Sequence, residues 1–68
     1  MELRSSNYQT HQDFMDAVFR IPEIANDGIL HYVAESSVDR DRTKRYLDAC
    51  TGKLCYKKRG MMFEIKKA

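Results

Sequence analysis

Apolar positions recur at spacings of three and four in the N-terminal third of the chain and alternate in its last fifteen residues. The chain therefore changes period along its length, from helix to strand. Phe14, Met15, Val18 and Phe19 form the stripe of an amphipathic helix. Thr10, followed three residues later by Asp13, approximates a capping box at its start. Pro22 disfavours helical backbone at Ile21 and so ends this helix near Arg20. The same proline suits the first turn of a second, short helix through Ile24 and Ala25. Asn26-Asp27-Gly28 reads as the turn that follows.

Ile29–Glu35 supports two readings. Its Ile, Tyr and Val favour a strand, while Ile29, Leu30, Val33 and Ala34 also make a helical face that Asp27 could cap. Ser36 or Ser37 is a good N-cap for a further helix over roughly Val38–Cys50. Val38, Tyr46, Leu47 and Cys50 form its inner face, and Asp39, Arg40, Arg42, Lys44, Arg45 and Asp48 cover the rest. Gly52 stands where a helix C-terminus favours a residue free to take positive φ.

The C-terminal pattern predicts a hairpin, Lys53–Lys57 and Met61–Lys66, around a three-residue loop Lys58-Arg59-Gly60 with glycine in its left-handed position. That register sets Lys57 opposite Met61, Tyr56 opposite Met62 and Cys55 opposite Phe63. One face then carries Cys55, Met61, Phe63 and Ile65 toward the helices, and the other exposes Leu54, Tyr56 and Met62. The predicted architecture is one α+β domain over residues 1–68, with two or three helices and a C-terminal antiparallel hairpin. If residues 29–34 form a strand, the helices lie on a three-stranded sheet.

If those residues are helical, the order of elements is that of a winged helix-turn-helix protein. Val33-Ala34-Glu35, Ser36-Ser37-Val38, Thr43, Lys44-Arg45 and Tyr46-Leu47 resemble that family's DNA-binding segment, with Val38 standing where the family usually has its turn glycine. The resemblance implies DNA binding, with Arg40, Arg42, Lys44 and Arg45 on or beside the recognition helix. It also implies that Lys57, Lys58 and Arg59 form a basic wing tip.

Charge points the same way independently. The net charge is only +2, yet residues 1–37 hold two cations against six anions, and residues 38–68 hold ten cations against four anions. Such asymmetry implies a polyanion or an acidic protein surface as partner. Tyr56 and Met62, placed on the exposed face among these cations, join the candidate contact residues. With 43% hydrophobic and 32% charged residues the chain has the composition of a folded domain.

Several classes find no support. No stretch approaches the roughly 18 apolar residues of a membrane span. The N-terminus, with Glu2, Arg4, Asp13 and Asp16, lacks the apolar core of a secretory signal. A cytoplasmic protein with reduced Cys50 and Cys55 is the expectation. His11, His31, Cys50 and Cys55 lack zinc-ligand spacing, no glycine-rich phosphate loop is present, and Asp39 and Asp41 would point to different helix faces. No metal, cofactor or catalytic group is expected. The sequence thus predicts a small non-enzymatic nucleic-acid-binding regulator, DNA favoured. The alternative is a protein-interaction module or inhibitor that docks its basic face on a larger complex.

Overall fold

The computed structural model describes residues 3–68; Glu2, one of the anions counted above, lies outside them. A short 3-10 turn at Ser5–Asn7 comes first, followed by two helices, α1 (His11–Phe19) and α2 (Pro22–Ala25), then strand β1 (Leu30–Val33), helix α3 (Ser37–Asp48) and the hairpin β2 (Leu54–Arg59) and β3 (Met62–Lys67). The three strands form one antiparallel sheet in the order β1-β3-β2. Among the described residues no helix is long and apolar enough to cross a membrane.

Local chemistry sets the helix boundaries. Thr10 Oγ1 accepts the backbone N–H of Asp13 at 3.2 Å, and Ser36 Oγ accepts that of Asp39 at the same distance. Each satisfies one of the orphan donors at a helix start. Pro22 opens α2 from its first turn. The chain leaves α2 through Asp27, whose φ of 61° closes a tight turn. Gly28 donates to the Glu23 carbonyl at 2.6 Å, and a Cβ there would stand 2.9 Å from that oxygen, so the position has room only for glycine.

Leu30–Val33 is a strand, and the alternative with a three-stranded sheet is the one realised. Its side chains alternate, Tyr32 buried and His31 and Val33 exposed, which is the period of a half-buried strand. Residues 33–47 consequently hold the end of a strand and one helix, where a helix-turn-helix segment places two helices. α3 turns Leu47 inward as expected, with Cys50 buried beyond it and Tyr46 packed on the core, but Val38 does not join them. Asp39, Thr43 and Leu47 are buried, and Val38 is 63% exposed. Asp39 goes in because its carboxylate meets unpaired N–H and O–H donors near the helix start.

The hairpin closes through a two-residue loop, Gly60-Met61, not three, and pairs Arg59 with Met62, Lys57 with Glu64 and Tyr56 with Ile65. Gly60 has φ 60° and Met61 does not share the positive sign. This is the pattern of a II′ turn, whose twist matches that of the flanking strands. The change of register exchanges the two faces of β2. Leu54, expected on the exposed face, is buried against Phe63 and Ile65, and Cys55 turns to the opposite side. Phe63 and Ile65 face inward as expected.

All helices pack on one side of the sheet. The core joins Phe14, Met15, Val18 and Ile24 of the helices to Tyr32, Leu54, Phe63 and Ile65 of the sheet, with Leu47 between. Edge-on ring contacts run through it, Phe14 with Tyr32 at 6.2 Å and Tyr32 with Phe63 at 6.3 Å, a geometry aromatic pairs prefer. Among the described residues no helix lies against the other side of the sheet.

Candidate functional site

The register divides the sequence-predicted contact residues between several surfaces. On α3, Arg40 lies toward the hairpin turn, its Nε 3.2 Å from Asp41 Oδ1 and its guanidinium 4.0 Å from Met61 Sδ. Lys44 binds Asp48 at 2.7 Å, one turn further on. Tyr56, expected to be exposed beside Met62, lies on the inner face, its ring tilted 53° against Phe63 with centroids 5.8 Å apart. Its hydroxyl donates to the second oxygen of Asp48. Hydrogen bonds from Lys44 and Tyr56 lower the Asp48 carboxyl below its ordinary value, and that of Asp48 raises the Lys44 ammonium. Lys44, Asp48 and Tyr56 thus form a closed group that fastens α3 to β2.

Arg42 occupies the opposite flank of α3, on the side of Tyr46, whose hydroxyl donates to the Tyr8 carbonyl at 2.8 Å. Arg42 also adds favourable charge to buried Asp39. Arg45 points outward. The exposed residues of α3 are Ser37, Val38, Asp41, Lys44, Arg45 and Asp48, two cations against two anions. The outward face of the basic helix carries no net charge.

The hairpin is different. Cys55, Lys57 and Arg59 of β2 stand on the helix-free face beside Met62, Glu64 and Lys66 of β3, with His31 and Val33 of β1 beyond. Lys57 and Arg59 are two residues apart on one strand, about 7 Å. Glu64 is this face's one carboxylate among the described residues, and its Oε1 lies 3.7 Å from His31 Nε2. Lys57, Lys58, Arg59 and Lys66 are exposed and take part in no ion pair among the described residues. Lys58, although consecutive with them, faces the α3 side with Tyr56.

Apolar groups lie among these cations. Ile29 is 50% exposed and Val33 66% exposed, and Met62 is half-buried. A groove of about 300 Å³ crosses the face, lined by Ile29, Cys55, Tyr56, Lys57, Glu64 and Lys66. Of the predicted residues, the structure gathers Lys57, Arg59 and Met62 here and adds Ile29, Val33, Cys55 and Lys66. The alternation of β3 carried the signal for Lys66, which shares parity with Met62. Cys55 required the correct hairpin register.

Among the described residues no cluster of His, Cys, Asp and Glu is arranged to hold a metal ion. Comparison with known proteins found no matching family model, curated protein or solved structure.

Proposed function

We propose that this protein is a non-enzymatic binding module that docks the helix-free face of its sheet on an acidic protein surface. One observation carries the reading: Lys57, Arg59 and Lys66 share a single open face with exposed Ile29 at one end and, at the other, exposed Val33 paired with half-buried Met62. Exposed apolar side chains set among cations on an uncovered sheet face mark a contact site. Nucleic acid would use the cations and leave Ile29, Val33 and Met62 without a role. The face also lacks the aromatic rings on which single-stranded bases stack, because Tyr32, Tyr56 and Phe63 belong to the inner side.

A second reading, a DNA-binding regulator, draws support from the run of three exposed cations at the hairpin tip, Lys57, Lys58 and Arg59, which take part in no ion pair among the described residues. The two readings separate on two charge reversals, Lys57→Glu with Arg59→Glu on the sheet and Lys44→Glu with Arg45→Glu on α3. Binding is measured to polyglutamate and to a short duplex DNA at about 50 and about 200 mM salt, a range over which phosphate contacts weaken steeply. Polyglutamate binding should weaken at least about tenfold with the sheet pair, a change of about 1.4 kcal/mol, and stay unchanged with the α3 pair. Tight, salt-sensitive duplex binding that is lost on reversing either pair, with no binding to polyglutamate, would replace this reading with the second.

A further inference from the structure

We infer that the free edge of β2 accepts an extended acidic segment of the partner as a fourth strand. The inference rests on the reading of an acidic protein partner and specifies how that partner is held. β3 is the central strand, so β1 and β2 are both edges. Along β2 the phase of the backbone is fixed by Lys53, whose carbonyl accepts the Ala68 N–H at 3.1 Å across the hairpin. Residues of the same parity, Cys55, Lys57 and Arg59, turn their backbone groups toward β3. Leu54, Tyr56 and Lys58 turn theirs away from the sheet.

The Leu54 N–H is taken by the Cys50 carbonyl at 3.1 Å. Tyr56 and Lys58 have no backbone partner on the open side among the described residues. Their two N–H and two C=O groups form the ladder that strand addition uses.

Charge decides what can use it. Lysine on an edge strand ordinarily discourages pairing with another edge. Lys57, Lys58 and Arg59 would oppose their own copies in a β2-to-β2 pair, so a second molecule of this protein is a poor occupant. Lys57 and Arg59, two residues apart on one face, attract a strand with carboxylates at alternate positions. Set beside β2, such carboxylates come within about 5 Å, Cβ to Cβ, of Lys57 and Arg59. Asp48, the carboxylate that α3 brings to this edge, is already held by Lys44 and the Tyr56 hydroxyl. The groove beside Cys55 and Lys57 offers room for an apolar side chain flanking the acidic positions.

The test uses a blocked heptapeptide of alternating Glu and Thr, and the same peptide N-methylated on every backbone amide. The second keeps the charge and loses the donors. Two protein variants run in parallel, Lys58→Ala and Lys58→Pro. Both remove the charge, and only proline removes the outward N–H, which an edge strand tolerates. Binding of the unmodified peptide at least about tenfold tighter than its methylated copy, retained by K58A and lost by K58P, is the expected result. Equal binding of the two peptides overturns strand addition and leaves docking on an acidic surface standing. Failure of both peptides together with tight binding of duplex DNA overturns both readings. Should K58P fail to fold, the comparison of the two peptides on the unaltered protein decides alone.

Discussion

Asp39 is 6% exposed, and its carboxylate organises the junction of three chain segments. Ser5 and Tyr32 donate their hydroxyls to it, Tyr32 at 3.0 Å, and Glu35 donates its backbone N–H at 3.0 Å. The Tyr32 oxygen in turn accepts the Ser5 N–H at 2.9 Å. Burial alone would raise the Asp39 carboxyl. The three donors, with the charge of Arg42, more than offset it and hold the group below its ordinary value. The unfolded chain therefore binds this proton more readily than the folded one. The resulting stability is fully present above about pH 4, the ordinary value for an aspartate, and is lost as the pH falls through the lower folded value. Asp39→Asn should cost about 1–3 kcal/mol at neutral pH, because the donors lose a charged acceptor. Urea unfolding at neutral and acidic pH provides the check. The unaltered protein should lose more stability on acidification than D39N, and equal losses would assign the acid sensitivity to other carboxylates such as Asp48.

At the scale of elements, the hairpin turn determines which face of β2 meets the core. Gly60 holds φ 60° with no atom within 4 Å of the place a Cβ would occupy, so a substitution there meets backbone strain and no clash. Gly60→Ala should lower stability by about 1–3 kcal/mol in thermal unfolding, with the fold retained. A change below a few tenths of a kcal/mol would contradict the II′ assignment. The same turn shows where the sequence stopped being informative. Thr10, Pro22 and Ser36 act within a few residues of themselves, and the helix starts they mark were legible. A glycine in a short hairpin loop fits the third position of a three-residue loop and the first of a two-residue loop equally well. Choosing between them requires knowing that Leu54 and Tyr56 pack on Phe63 and Ile65, which is a tertiary fact. A slip of register exchanges side-chain faces, and so the cations were legible as a group but their division between two surfaces was not. Asp39 was hidden for a similar reason. Its partners Ser5 and Tyr32 lie 34 and 7 residues away, beyond any local pattern.

The described residues make two layers, helices on one side of the sheet and none against the other. A chain of this length has little apolar surface to spare for a second layer, and the uncovered sheet face is where Lys57, Arg59 and Lys66 stand.

The placement of β3 also has a consequence for how the molecule is made. The strand latest in chain order lies in the middle of the sheet. Among the described residues β1 and β2 pair with no strand except β3, so during synthesis Leu30–Val33 must wait for some thirty further residues before finding its partner. Sheet formation on the ribosome should therefore be abrupt and late, with no stable two-stranded precursor. Nascent chains arrested at increasing lengths should resist protease poorly until Lys67 has cleared the exit tunnel, and then become protected within a few residues. Protection of chains that end before Met62 would show that α1, α2 and α3 hold together without the sheet.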